Sequence, residues 1–205
     1  MQKTSIFFKC LYGFVKGIYY GFYNVKVEGR ENLPDCPYII ASNHRSFADP
    51  PLLAVTTGCS KFGFVAKEEL FRNPFFGWLI RKLGAFPVTR GKGDLSVINE
   101  AVSRIKEGRR LVIFPEGTRS KTGKVGKGKT GVALIAARSG VPVVPAGIVF
   151  NGKLHFRSKV TIKYGRPLMP EELNVSQEPT PRELKDVKGK IMDSITALVE
   201  GGENG

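Results

Sequence analysis

Cysteine and histidine are scarce in this chain of 205 residues. The three cysteines, Cys10, Cys36 and Cys59, are widely spaced and form no CxxC pair. This spacing indicates a reducing, cytoplasmic setting and argues against a structural metal site. The only histidines are His44 and His155, which argues further against a zinc centre. We therefore expect neither a metal nor a cofactor.

Acidic side chains are absent from the first part of the chain, where none precedes Glu28. The net charge of +14 is also spread unevenly. Residues 171–205 carry eight acidic and four basic side chains, a sum of −4, which leaves +18 on residues 1–170. Such a basic surface predicts a polyanionic partner, which is a nucleic acid, an anionic membrane or a phosphorylated substrate.

Long uninterrupted apolar runs are also absent. Residues 5–23 contain Lys9 and Lys16 and lack the continuous apolar region and small-residue cleavage site of a signal peptide. A spanning helix would place both lysines near its middle, at a cost of ~2.5–3.5 kcal/mol each. A single apolar stripe at helical spacing contains Phe8, Leu11, Val15, Ile18 and Phe22. The pattern favours a helix lying in the membrane interface, with packing on the protein's own core as the alternative.

From residue 24 onward, apolar segments of strand length alternate with helical patterns. We predict strands at residues 24–28, 38–41, 61–66, 86–90, 111–114, 141–148 and 159–164, and helices at 51–57, 95–105, 131–138 and from 181 onward. The apolar segment 67–83 is divided by an Asn-Pro pair into two short pieces. This alternation predicts an α/β fold with a mixed, largely parallel sheet flanked by helices. The expected organisation is an N-terminal amphipathic helix at residues 1–23, for which association with the membrane is favoured, and one α/β domain at residues 24–205.

Residues 123–130 match the sequence pattern of the phosphate-binding loop found in many nucleotidases. That loop works only where it leaves a strand directly and leads into a helix. Here eight residues separate Phe114, the end of the predicted strand, from Gly123. No apolar run ends in an aspartate that would hold magnesium. The sequence therefore does not predict an ATP site.

Three groups of chemically active residues stand at the ends of predicted strands. They are residues 43–49, which include His44 and Asp49, residues 84–90, which end in Arg90, and residues 114–120. Active-site residues of open α/β sheets gather at strand ends, so these groups can converge in one crevice. A carboxylate on one imidazole nitrogen would leave the other nitrogen free to take a proton. The alternative is a histidine satisfied in the core and an aspartate capping the following helix.

Together these groups resemble four motifs of the glycerolipid acyltransferase family. Residues 43–49 contain the N-H-x4-D motif, and residues 84–90 match its glycine-to-arginine motif. The F-P-E-G-T-R-S motif is residues 114–120 without a change, and residues 141–145 match an apolar Val-Pro motif. All four occur in the family's order. The first and third are specific, whereas the fourth alone would indicate little.

The resemblance implies transfer of a fatty acyl group from acyl-carrier protein or acyl-CoA to the sn-2 hydroxyl of 1-acyl-glycerol 3-phosphate (lysophosphatidic acid). His44 would act as general base, and Asp49 would hold its ring. The hydroxyl would attack the thioester directly, so Cys36 and Ser46 would have no covalent role. Glycerol 3-phosphate or another lysolipid is the alternative acceptor within the family.

Further residues would bind the substrate if the resemblance holds. Arg90 would pair with the acceptor phosphate, for which a guanidinium group is well shaped. The other candidates are Glu116, Gly117, Thr118, Arg119, Lys127 and Lys129. Because a phosphate would repel Glu116, we expect this carboxylate to contact an acceptor hydroxyl or Arg119. The apolar residues 71–83, with residues 141–148, would line a groove for the acyl chain or, as the alternative, only fill the core.

The implied setting is the cytoplasmic face of the cell membrane, with peripheral or monotopic attachment to anionic lipid. A basic nucleic-acid-binding protein is the alternative outside the enzyme class. It would explain the charge but neither the His44–Asp49 pair nor the loop around Glu116, so we expect no nucleic-acid partner.

Overall fold

The computed structural model describes residues 6–58, 61–88 and 95–201, and within them a seven-stranded mixed sheet forms the centre of the protein. The strands are Asn24–Glu28 (β1), Ile39–Ser42 (β2), Phe62–Lys67 (β3), Ala85–Val88 (β4), Arg110–Ile113 (β5), Val143–Val149 (β6) and Lys159–Tyr164 (β7). Their order across the sheet is β1-β7-β6-β2-β5-β3-β4. Only the β6–β7 pair is antiparallel. The predicted α/β class and largely parallel sheet are confirmed.

The middle of the sheet is the most apolar part of the chain. All four residues of β2 are buried, and Ile39 lies opposite Leu111 of β5 and Val143 of β6. Because these strands are buried on both faces, their sequences are continuously apolar and do not alternate between apolar and polar residues. This central position brings the carboxyl ends of β2, β5 and β6 to one edge of the sheet.

Helices cover both faces of the sheet. They are Ile6–Phe22 (α1), Asp49–Thr57 (α2), Pro74–Lys82 (α3), Leu95–Lys106 (α4), Gly131–Ser139 (α5), Pro170–Leu173 (α6) and Pro181–Glu200 (α7), with short 3-10 helices at Arg30–Asn32 and Glu68–Phe71. Buried side chains of α4, α5 and α7 pack on one face. Buried side chains of α2 pack on the other face, beside the partly buried Tyr19 and Tyr23.

The local signals for most elements are confirmed, with shifts of one to two residues at their ends. The last helix begins with the predicted capping box, in which the Thr180 hydroxyl accepts from the Glu183 amide at 3.3 Å and the Glu183 carboxylate accepts from the Thr180 amide at 2.7 Å. The four-residue helix α6 was not predicted. Such a short helix carries too few residues for a periodic pattern.

Helix α1 departs from its prediction of one apolar stripe. Its inner side packs on the protein, where the Tyr12 hydroxyl donates to the Val55 carbonyl oxygen at 3.1 Å. Its outer side exposes Phe14, Ile18 and Phe22, so the apolar residues divide between two faces. Packing on the protein's own core therefore explains the apolar residues on the inner side of α1 but not the exposed ones on its outer side. Among the helices of the described ranges, none combines the length and the apolar composition needed to cross a bilayer.

Candidate active site

The site is built where β2 ends beside β6. Directly after β2, the buried side chain of Asn43 donates to the Ile148 carbonyl oxygen at 3.0 Å and accepts from the Ile148 amide at 2.7 Å. The amide side chain thus continues the pairing of the two strands by one further residue. This pairing fixes the point at which the chain leaves the sheet toward His44.

Asp49 organises the loop that follows. Its carboxylate is fully buried, and Oδ2 accepts from the backbone amides of Arg45 at 2.6 Å and Ser46 at 2.7 Å. The same oxygen lies 2.8 Å from Nδ1 of His44. Asp49 is the first residue of α2, where the helix dipole also favours a negative charge. Within the described residues, the buried Oδ1 accepts no hydrogen bond.

Asp49 does not cap helix α2 in the way that the alternative interpretation predicts. The residue at the cap position is Ala48, and no side chain caps the helix there. The Asp49 carboxylate turns back to the loop that precedes the helix. The histidine and the aspartate are therefore in contact, and the alternative of two separately satisfied residues does not describe the structure.

The imidazole of His44 is held on a second side by an aromatic ring. It stacks on Phe114 with ring centroids 4.1 Å apart and an interplanar angle of 20°. With Nδ1–H donated to the carboxylate, Nε2 of the neutral ring carries a lone pair and can accept a proton. The side chain keeps 18% of its surface exposed, so a small reacting group can approach it.

Glu116 connects the first and third motifs through backbone amides. Its carboxylate accepts from the amide of His44 at 2.9 Å and, through the other oxygen, from the amide of Gly126 at 3.0 Å. An ion pair with Arg119, one of the two predicted partners, is not found within the described residues, and the contact with an acceptor hydroxyl stays a prediction. Glu116 is buried, and it braces the loop that carries His44.

Two further hydrogen bonds complete this bracing. The amide of Ser120 donates to the His44 carbonyl oxygen at 2.7 Å, and the amide of Lys129 donates to the Pro115 carbonyl oxygen at 2.9 Å. The segment after β5 therefore contacts the loop that carries His44 through Glu116 and Ser120, and the bond between Lys129 and Pro115 closes this segment on itself. This arrangement brings the first and third motifs into one site.

The remaining predicted substrate-binding residues lie on the exposed side of the same loop. Gly117 has a φ of +69°, and a β-carbon there would come within 3.1 Å of the end of the Lys129 side chain. The guanidinium of Arg119 lies 3.7 Å from the centre of the Phe47 ring. Thr118 and Lys127 are both exposed. Their side chains can therefore reach a ligand at the surface.

Arg90, predicted to pair with the acceptor phosphate, lies outside the described residues. Strand β4 is described as far as Val88, and its predicted continuation to residue 90 lies outside the described residues as well. The position of this arginine relative to His44 remains a prediction.

Arg45 and Phe114 hold the site and were not singled out from the sequence. Arg45 Nη1 donates to the Phe150 carbonyl oxygen at 2.6 Å, and its guanidinium lies 4.0 Å from the centre of the Phe150 ring. Arg45 thereby joins the catalytic loop to the segment after β6. The one sequence signal for the role of Phe114 was its position immediately after a buried strand, where the chain leaves the sheet beside the site.

The hypothesis of an acyl groove formed by residues 71–83 and 141–148 is not supported. Residues Val143–Ile148 belong to the buried strand β6. Phe75, Phe76 and Trp78 of α3 are exposed. Three strands, β2, β5 and β3, lie between β6 and the edge strand β4, which follows α3, so the two segments do not form one groove.

Comparisons with known proteins point to one family. The family model described as "Acyltransferase" matches residues 24–149. The 1-acyl-sn-glycerol-3-phosphate acyltransferase of Bacillus subtilis is 33% identical over 180 residues, which cover 82% of this chain and 89% of that protein. A crystal structure of the 1-acyl-sn-glycerophosphate acyltransferase PlsC from Thermotoga maritima superposes with a TM-score of 0.76 at 31% identity, covering 97% of this chain and 80% of that one.

Plant relatives are longer than the present chain. The chloroplastic 1-acyl-sn-glycerol-3-phosphate acyltransferase of Arabidopsis thaliana is 36% identical over 139 residues, which cover 66% of this chain and 38% of that protein. The chain thus spans less than half the length of that relative.

Proposed function

Because the chain belongs to the acyltransferase family, we propose that it transfers a fatty acyl group from a thioester to the sn-2 hydroxyl of 1-acyl-glycerol 3-phosphate, giving phosphatidic acid. The names of its bacterial relatives support this acceptor. The observation that carries the proposal is the 2.8 Å contact between His44 Nδ1 and Asp49 Oδ2, which leaves the other ring nitrogen free to act as a base.

In the proposed reaction, Nε2 of His44 takes the proton from the acceptor hydroxyl as its oxygen attacks the thioester carbonyl carbon. The new C–O bond gives a tetrahedral intermediate with a negative oxygen. When the carbonyl re-forms, the C–S bond breaks, and the leaving thiolate takes the proton from the imidazolium. No covalent acyl-enzyme forms, because a thioester is already an activated acyl donor.

Asp49 has two tasks in this mechanism. It holds the ring so that Nε2 faces the hydroxyl, and its charge stabilises the imidazolium that forms. General base catalysis contributes roughly 10²–10⁴-fold, so substrate positioning and stabilisation of the oxyanion must supply the rest. Glu116 contributes by positioning, since it fixes the backbone on which His44 sits.

The acceptor phosphate would be held by cations on the rim of the site. Arg90, Arg119, Lys127 and Lys129 are the candidates. The close approach of the Lys129 side chain to Gly117 supports a role for both residues, because it brings an ammonium group over the loop next to His44. Gly117 and Thr118 would shape the backbone against which the glycerol lies.

We further propose that α1 lies in the interface of the membrane that holds the acceptor. Phe14 is 67% exposed, and Ile18 and Phe22 follow at intervals of one helical turn. The +18 charge of residues 1–170 supports contact with anionic lipid on the cytoplasmic face. The donor thioester is acyl-carrier protein or acyl-CoA, both of which carry phosphopantetheine.

Product analysis with the purified protein tests this proposal. The protein is incubated with 1-acyl-glycerol 3-phosphate and, in separate reactions, with acyl-CoA or acyl-carrier protein, and the lipids are identified by mass spectrometry. We expect phosphatidic acid from 1-acyl-glycerol 3-phosphate with at least one of the two donors. When glycerol 3-phosphate replaces the lysolipid, we expect no acylated product. Acylation of glycerol 3-phosphate alone, or of neither acceptor, would contradict the proposal.

A further inference from the structure

A turn between β6 and β7 is clamped onto the end of α1. The amide of Arg157 donates to the Phe22 carbonyl oxygen at 2.7 Å, and the amide of Asn24 donates to the Ser158 carbonyl oxygen at 3.0 Å. Within the turn, the His155 amide donates to the Ser158 hydroxyl at 2.9 Å. Arg157 adopts a φ of 61°, a left-handed conformation that few non-glycine residues keep unless their surroundings fix it.

This rigid turn directs an aromatic side chain outward. Phe156 is 59% exposed, and its ring contacts that of Phe22 edge to face, with centroids 5.4 Å apart. The exposed face of α1 continues from Phe22 to Ile18 and Phe14. Phe156 therefore extends the apolar face of α1 beyond the end of the helix.

The formal charges in the connection around Phe156 are all positive. Residues 150–159 contain Lys153, Arg157 and Lys159 and no acidic residue. Arg157 lines an open cleft of about 300 Å³ together with Tyr20 and Tyr23. Within the ranges that the structure covers, no ion pair of its guanidinium is found. An aromatic ring flanked by cations is the composition that an anionic bilayer surface favours.

The turn lies beside the catalytic loop. Phe150, at the start of this connection, accepts a hydrogen bond from Arg45, the residue after His44. At the end of α1, burial, followed by the negative charge of Asp49, raises the pKa of Tyr23. A surface that contacted lipid here would bring the opening beside His44 to the same leaflet.

We propose that Phe156 and Arg157 form, with the exposed face of α1, one docking surface for an anionic bilayer, in which Phe156 inserts among the acyl chains and Arg157 binds a lipid phosphate. The proposal rests on the proposed function for the identity of the membrane-held substrate. The turn that carries Phe156 and Arg157 is thus a second point of contact with the membrane, in addition to α1. Two points of contact fix how the site is oriented toward the leaflet. The occupant is a bilayer rather than an acidic protein, because Phe156 continues the exposed apolar face of α1, which suits insertion among acyl chains.

Vesicle binding by single variants tests this surface. Partition onto phosphatidylcholine vesicles with and without phosphatidylglycerol is measured by co-sedimentation for the full chain, without substrate. Phe156→Ser should weaken binding to the mixed vesicles about tenfold by loss of apolar burial. Arg157→Asn, which tolerates the left-handed conformation, should weaken it about fivefold and only when phosphatidylglycerol is present.

The matched control is Phe75→Ser on α3. Phe75 is 75% exposed, and α3 connects β3 to β4 at the far edge of the sheet. This variant should bind vesicles as the unchanged protein does. Circular dichroism and the thermal midpoint of each variant establish that it is folded.

Two results would overturn the docking surface. One is unchanged vesicle binding of folded Phe156→Ser and Arg157→Asn; the other is a loss by Phe75→Ser as large as that by Phe156→Ser. If Arg157→Asn weakened binding to acyl-carrier protein but not to vesicles, the surface would belong to a protein partner. Because no substrate is present, these results are independent of the product assay, whose failure would reject the acyl transfer and leave the docking measurement standing.

Discussion

The charged groups on the two sides of the candidate site are held in opposite ways. On the inner side, the buried carboxylates of Asp49 and Glu116 accept hydrogen bonds from four backbone amides and one imidazole nitrogen. On the outer side, Arg119, Lys127 and Lys129 are exposed. The proposed base is thus fixed before substrate arrives, whereas the proposed phosphate-binding cations remain hydrated.

This difference separates catalysis from binding. A buried charge that is satisfied by fixed donors needs no rearrangement during the reaction. An exposed cation attracts a phosphate over a distance but is screened by salt. Changes on the inner side should therefore lower kcat, and changes on the outer side should raise the KM for the phosphorylated acceptor. The predictions below test this division, in order of expected effect.

His44→Ala should have the largest effect. Loss of the base lowers kcat by roughly 10²–10⁴-fold while the acceptor KM changes little. Steady-state rates with varied lysophosphatidate measure both constants. Cys36→Ser is the control, since this exposed thiol has no role in direct transfer. A His44→Ala protein with near-normal turnover would show that the base assignment is wrong.

Glu116→Gln should follow. The side-chain amide offers one acceptor and one NH₂ group where two backbone amides now donate, so one donor meets another donor. We expect a loss of about 1–3 kcal/mol in the free energy of unfolding and a fall in kcat through displacement of His44. Urea unfolding and kinetics are compared with Glu107→Gln, a change at an exposed ion pair. Unchanged stability and turnover would remove the bracing role of Glu116.

Lys129→Ala and Arg119→Ala should raise the acceptor KM about fivefold each, with kcat nearly unchanged. The physical reason is the loss of one exposed charge–phosphate contact, which is worth about 1 kcal/mol. Increasing the salt concentration should reduce the difference from the unchanged protein. Lys185→Ala, on the exposed side of α7, is the control. An equal rise in the donor KM would argue against specific binding of the acceptor phosphate.

Tyr19→Phe should have the smallest effect, confined to alkaline solution. Burial, followed by the charges of Tyr23 and Asp49, raises the pKa of Tyr19 to about 12 from 10.0. Since the folded state favours the neutral phenol, its contribution to stability is full below pH 10.0 and is lost as the pH rises through about 12. Urea midpoints at pH 9 and 11 should therefore fall more for the unchanged protein than for Tyr19→Phe. Equal falls would mean that Tyr19 is not shielded.

The fold could be predicted because the central strands are buried on both faces and their apolar segments are bounded by clear turn and capping signals. The pairing of His44 with Asp49 was predicted as one of two alternatives, since their spacing permits contact without requiring it. The partners of Glu116 could not be predicted. They are backbone amides of His44 and Gly126, and a sequence carries no signal for which amide a carboxylate will meet.

The two faces of α1 show a second limit of sequence reasoning. Periodicity identifies apolar side chains on a helix, but it does not tell which of them the rest of the protein covers. Tyr12 points inward because the carbonyl oxygen of Val55 lies beside it. Phe156, far along the chain, joins the outer face through Phe22. Both contacts depend on tertiary structure alone.

The central claim is that the imidazole of residue 44 and the carboxylate of residue 49 act as one catalytic unit, and a double-mutant cycle measures this directly. Turnover is determined for Asp49→Asn, His44→Ala and the double variant, with circular dichroism as the check on folding. We predict that Asp49→Asn lowers kcat about 10²-fold when His44 is present and less than about twofold in the His44→Ala background. The same loss in both backgrounds would show that the two side chains act independently and would contradict the mechanism.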